Sequence, residues 1–144
     1  MSNTQAAFLE RSRVPTRDQL QAAINALGFD LSLDPEFTPF EDEGFSPCVL
    51  LGSEEAGFEI FYDDANALTG GDEELESIAA GRGYSISMVW RGSKKDLACV
   101  MIVSCALAKE FDAIISYEGE KPEDLSVLLE STRKILSDIV AGES

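Results

Sequence analysis

Hydrophobic positions recur along this chain with two different periods, and the changes of period mark out its elements. Thr16 and Gln19 form a capping-box pair, in which hydroxyl and amide satisfy free N–H groups at a helix start. Leu20, Ala23, Ile24 and Leu27 then share one helical face, and Gly28 supplies a left-handed stop. Period two follows, with Phe29, Leu31 and Leu33 alternating against Asp30 and Ser32 as in a half-buried strand. Pro35, Pro39, Gly44 and Pro47 break regular structure over 34–47. Residues 48–51 and 57–62 read as two strands joined by the acidic turn 52–56, a connection short enough for an antiparallel hairpin.

Residues 63–83 are polar, acidic and glycine-rich, which predicts a mobile loop with a short helix supported by Leu68, Leu75 and Ile78. Over 84–90, Tyr84, Ile86, Met88 and Trp90 fall on one strand face and Ser85 and Ser87 on the other. Ser93 is placed to cap a helix over 94–110, with Asp96 near its positive end. Leu97, Val100, Met101, Val103, Leu107 and Phe111 nearly encircle that helix, so it is expected to be buried on most sides. Residues 113–117 read as a short apolar strand. Pro122 suits the first turn of a last helix, striped by Leu125, Leu128, Leu129, Thr132, Leu136 and Ile139 and closed by Gly142.

Residues 1–14, polar apart from 6–9, are expected to form a flexible arm ahead of one domain over 15–142. Strands concentrated in the first two thirds, with two long helices in the last, predict an α+β fold. A mostly antiparallel sheet of about five strands would pack against two or three helices. The 144 residues suit a single domain. A chain of this length buries roughly 68–70% of its unfolded surface, enough for a core without metal or disulfide. Three cysteines, an odd number, argue against a disulfide framework and favour a reducing compartment. The N-terminal stretch lacks the charged start and apolar run of a signal peptide, and no run approaches the ~20 apolar residues that span a bilayer. The expected location is the cytoplasm.

Charge alters this picture more than composition does. Between Arg17 and Arg82 there is no Lys or Arg, yet residues 18–81 carry sixteen of the 27 acids and the whole formal net charge of −16. Such a one-sided field repels nucleic acid and anionic lipid and attracts basic partners.

Little in the sequence points to catalysis, and the chain is not expected to be an enzyme. It has no histidine, which removes Ser-His and Cys-His activation and the commonest zinc ligand. Cys99 and Cys105 lie six apart on the buried helix, roughly 240° around it, so they face different ways. With Cys48 they read as small buried hydrophobes. Acid pairs among Glu54, Glu55, Glu59, Asp63 and Asp64 lack any framing pocket motif. Read as a calcium loop from Asp63, the third, fifth and sixth positions are Ala65, Ala67 and Leu68, which fails the ligand pattern. No GxxxxGK[ST] or GxGxxG is present, so neither a cofactor nor a metal is expected. Arg82, Arg91, Lys94 and Lys95 are expected to pair with acids within the chain.

What singles out the acidic tract is its interleaving with aromatics: Phe37, Phe40, Phe45, Phe58, Phe61 and Tyr62. Alternation places Glu59 and Phe61 on the strand face opposite Phe58, Ile60 and Tyr62. An exposed aromatic inside a rim of carboxylates has the makings of an interface anchor. The candidate partner-binding residues are therefore Glu41, Asp42, Glu43, Glu54, Glu55, Glu59, Phe61, Asp63, Asp64, Asp72, Glu73 and Glu74.

Gly44-Phe-Ser-Pro-Cys48, Gly57-Phe-Glu59, the strand ending Trp90-Arg-Gly92, and Cys105-Ala-Leu-Ala108 leading into Ile114-Ile-Ser-Tyr117 give a layout that resembles small acidic immunity proteins. These are encoded beside bacterial polymorphic toxins, including type VI secretion effectors. The resemblance implies tight binding of a cognate toxin or effector with a basic surface, occluding its active site. An alternative comes from Leu27-Gly-Phe-Asp-Leu-Ser-Leu-Asp34 after an amphipathic helix, which is similar to the opening of type III secretion chaperones for effectors. The Trp90-Arg-Gly92 turn and the buried helix depart from that second pattern.

Overall fold

In the computed structural model, which describes residues 3–38, 43–118 and 120–142, six strands form one antiparallel sheet with helices on both faces. In chain order the elements are β1 (Asn3–Leu9), a 3-10 turn (Arg11–Arg13), α1 (Arg17–Ala26), β2 (Leu31–Leu33), β3 (Gly44–Leu50) and β4 (Glu54–Asp64). There follow α2 (Ala65–Thr69), α3 (Glu73–Ala79), β5 (Tyr84–Trp90), α4 (Lys94–Glu110), β6 (Ile114–Tyr117) and α5 (Leu125–Val140). The strand order is β2-β3-β4-β5-β1-β6. The α+β class and the antiparallel sheet against helices stand as the pattern predicts, with a sixth strand added.

That sixth strand is β1, where the sequence pattern predicts a flexible arm. It lies between β5 and β6, with Ala7 opposite both Ile86 and Ile115. Its Ala7, Phe8 and Leu9 are buried. The strand is covered on both faces, Ala7 and Leu9 by the main core and Phe8 by α2 and α3, so no polar–apolar alternation marks it.

Helices α1, α4 and α5 cover one face of the sheet. Helix α4 runs through the middle of that layer, touching strands on one side and α1 and α5 on others, and every residue from Ala98 to Leu107 is buried. Removing Ile102, Val103 and Leu107 from water contributes about 1.5–3 kcal/mol each. Ser93 caps α4 as its position predicts, its hydroxyl accepting from Lys95 N and Asp96 N. The Thr16–Gln19 capping box of α1 is fully formed.

Residues 63–83 are more ordered than their composition predicts. Asp63 and Asp64 extend β4, α2 follows directly, and the Asp72 carboxylate caps α3 by accepting from Glu74 N and Leu75 N. The α2–α3 pair packs Ala65, Ile78 and Ala79 onto Phe8, Ala6 and Ile114. The apolar residues are few, and the partner strand that organises them lies some sixty positions earlier.

Gly44–Pro47 also lies inside a strand instead of breaking one. Pro47 pairs with Gly57 just beyond Cys48, where β2 ends, so its missing N–H faces no partner strand. The β2 edge itself is closed by α1. Gln21 donates to Leu31 O at 2.7 Å and accepts from Leu33 N at 2.8 Å, while the Arg17 guanidinium donates to Leu33 O and Asp34 O.

Candidate functional site

The strand pleat divides the sheet residues into two sets. Facing the helices are Leu31 and Leu33 of β2, Cys48 and Leu50 of β3, Phe58 and Ile60 of β4, and Met88 and Trp90 of β5, all buried. On the opposite face α2 and α3 pack onto β1 and β6, and α2 also touches β4 and β5. The hairpin of β3 and β4 is left uncovered there, presenting Phe45, Pro47 and Val49 from β3 and Glu55, Glu59, Phe61 and Asp63 from β4.

This open face carries the larger share of the exposed large hydrophobics among the described residues. Phe45 is 68% exposed, Val49 39% and Phe61 38%, and Leu68 of α2 is exposed beside a hollow that Ser87 of the same face lines. These are four of the seven exposed large hydrophobics among the described residues. Phe45 is held in place despite its exposure, because its ring lies over Gly57. A Cβ at Gly57 would stand 2.6 Å from Phe45 Cζ. Ser32, Phe45, Pro47, Val49 and Glu55 line a shallow open depression of about 670 Å³, to which Arg17, Asp34 and Asp96 also contribute.

The candidate acids divide by role. Glu55 lies opposite Val49, and Glu59 lies opposite Phe45 on one side and Val89 on the other. Asp63 extends the same row past Phe61. Glu59 is also paired with Arg91 at 3.2 Å, and Glu54 with Lys95 at 2.9 Å. The Glu43 carboxylate accepts the N–H of Tyr62 at 3.1 Å and so tethers the start of β3 to β4. Asp63 accepts from Asp64 N. Asp72, Glu73 and Glu74 sit at the start of α3, away from the hairpin, where Asp72 is a cap. Glu41 and Asp42 lie outside the described residues, as does Phe40. The twelve candidates therefore do not form one patch. Glu55, Glu59, Phe61 and Asp63 come together on the open face, and Asp64 adjoins them at the end of β4.

Two contributors, Phe45 and Val49, are absent from the candidate set although the alternation Phe45, Pro47, Val49 against Ser46, Cys48, Leu50 was present to read. The prolines and glycine around them mask it. Phe37 and Phe58 are buried and Tyr62 is half-buried, so of the described interleaved aromatics only Phe45 and Phe61 reach solvent.

The basic cluster is paired internally, as expected. Besides Arg91 and Lys95, Lys94 meets Asp138 at 3.4 Å and Arg82 meets Asp112 at 3.0 Å. The cysteines are buried free thiols. Cys99 faces Cys48 across the sheet interface, and Cys105 lies 3.4 Å from Thr132 of α5, so the two helix cysteines do point different ways. Contact with Cys48 and burial push the Cys99 thiol up, and burial does the same for Cys105, which suppresses the reactive thiolate. Among the described residues no cluster of three His, Cys, Asp or Glu is placed to hold a metal, and no helix is long and apolar enough to cross a membrane.

No family model, curated protein or solved structure matches the chain.

Proposed function

We propose that this chain is an immunity protein that binds a cognate bacterial toxin, of the polymorphic or type VI effector kind, and occludes its active site. The observation that carries the reading is the open face of the β3–β4 hairpin, where Phe45, Val49 and Phe61 stand exposed beside Glu55, Glu59 and Asp63. An apolar centre with a carboxylate fringe complements a basic cleft, the kind of surface that toxins acting on nucleic acid or phosphorylated substrates present. Negative charge speeds encounter, and the desolvated aromatics slow dissociation. Closure of the β2 edge by Gln21 and Arg17 favours contact through this face over strand addition at that edge. The same charge disfavours nucleic acid and anionic membranes as direct partners.

The test is co-expression with the product of the neighbouring gene. A toxic domain that kills unless this chain is present supports the proposal, and the double variant Phe45→Ala, Phe61→Ala should lose protection while remaining folded. In stopped-flow measurements, association should slow steeply as salt rises and on changing Glu55 and Asp63 to Lys. Rates indifferent to both would remove charge steering. An obligate dimer in light scattering that wraps an unfolded effector segment would instead establish the secretion-chaperone reading.

A further inference from the structure

A second site lies on the other side of the sheet, under the helices. A cavity of about 330 Å³ opens between the sheet and the α4–α5 pair. Buried Gln5, Trp90, Met101 and Leu128 form its floor. Exposed Tyr117, Glu120 and Glu123 stand at its mouth. Its volume is at the lower end of small-molecule pockets, which run about 300–1,000 Å³.

The polar groups of the floor are oriented and incompletely used. The Ser104 hydroxyl donates to Val100 O at 2.7 Å, so it is an acceptor toward Gln5, whose Nε2 lies 2.7 Å from it. That fixes which end of the Gln5 amide is nitrogen, and the same nitrogen also reaches Met101 Sδ. The Gln5 oxygen is left with no partner among the described residues, although the residue is only 4% exposed. The Trp90 indole N–H likewise has no acceptor among them. No side-chain nitrogen or oxygen among the described residues is sealed away unsatisfied, so neither group is fully enclosed, and Gln5 and Trp90 line this cavity in common. One acceptor and one donor on an apolar floor are matched by a single hydroxyl, which donates to the first and accepts from the second.

The mouth asks for something different. Glu120 and Glu123 outnumber Lys121 there, and the chain as a whole carries −16, so an anion is disfavoured and a cation is drawn in. The rings of Trp90 and Tyr117, centroids 5.7 Å apart, offer aromatic faces between floor and mouth. We infer that this cavity binds a small phenolic amine, its hydroxyl on Gln5 and Trp90, its ring against Met101 and Leu128, and its ammonium at Glu120 and Glu123. The site is independent of the toxin-binding proposal, since Gln5 and Trp90 lie on the sheet face opposite Phe45 and Phe61.

Trp90 is the only tryptophan, so the nitrogen-labelled full chain gives one indole N–H signal to follow by NMR. Tyramine should move it saturably. Phenethylamine, which lacks the hydroxyl, and 4-ethylphenol, which lacks the ammonium, should each bind about 10-fold more weakly. Gln5→Leu should bring tyramine to the level of phenethylamine. Glu120→Gln with Glu123→Gln, both at exposed positions, should bring it toward 4-ethylphenol. A signal that never saturates means that the cavity holds only water and overturns the inference. So does equal affinity for the three probes in the wild-type chain, a comparison that needs no variant to fold.

Discussion

Asp96, in the first turn of α4, accepts the main-chain N–H of Gly57 in β4 at 3.1 Å. Strand β5 ends at Trp90, so β4 has no neighbour on that side beyond Glu59, and the Asp96 carboxylate takes the place of the missing strand. The same carboxylate sits favourably near the positive end of α4. Asp96→Ala leaves Gly57 N–H unpaired in a half-buried place and should cost about 1.5–3 kcal/mol in urea unfolding. Asp96→Asn, which keeps an acceptor, should cost less, and equal losses for the two would show that the hydrogen bond does not matter.

Gly57→Ala should destabilise the hairpin for a different reason. The new methyl would meet Phe45 Cζ and Ser46 O, each at 2.6 Å. The Phe45 ring can swing aside but the Ser46 carbonyl is main chain, so the expected cost is about 1–3 kcal/mol. Removing the ring with Phe45→Ala in the same chain should recover only part of it. Full recovery in denaturant titrations would place the whole clash on the ring.

The Gln21 amide pairs with β2 as a neighbouring strand would, through one donor and one acceptor. Gln21→Ala removes both bonds and should cost about 1–3 kcal/mol. It also uncovers the edge, so self-association that rises with concentration is expected in light scattering. A variant that stays monomeric at every concentration would mean that the net charge alone keeps that edge from pairing.

Asp138 of α5 links the two long helices through Lys94 of α4 and also meets Lys134. Partial burial raises its carboxyl pKa, but the Coulombic pull of Lys134 and Lys94 outweighs that and holds it below the ordinary value. A depressed folded pKa gives stability that is present above the unfolded value, about 3.9 for Asp. That stability is lost as pH falls through the folded pKa. The stability difference between wild type and Asp138→Asn should therefore be constant near neutrality and shrink below about pH 4. A difference that persists unchanged into stronger acid would assign it to packing.

The elements with unbroken periodicity were legible from the residues alone. Tyr84–Trp90 and Lys94–Glu110 have the boundaries their pattern predicts, because Ser93 punctuates them and their apolar residues pack where the period puts them. What was hidden depends on distant partners. The strand character of β1 comes from β5 and β6, whose residues lie some eighty to one hundred positions later. On the open face of the hairpin, Glu59 and Phe61 follow simple alternation, but Glu59 also holds Arg91, and Glu43, Glu54 and Asp72 hold main chain or a lysine. An acid count cannot separate a carboxylate that awaits a visitor from one that holds its own backbone. Gln5 escaped notice for a related reason, since nothing in its neighbourhood reveals that Ser104 fixes its amide.

The position of β1 also constrains how the protein is made. Residues 3–9 leave the ribosome well before both strands that flank them, since β5 and β6 are translated long afterwards. Until β5 and β6 emerge that segment lacks its partner strands, while the β3–β4 hairpin can close early from neighbouring residues. A nascent chain stalled before residue 84 would carry Ala7 and Leu9 without their partner strands, a natural grip for a holdase.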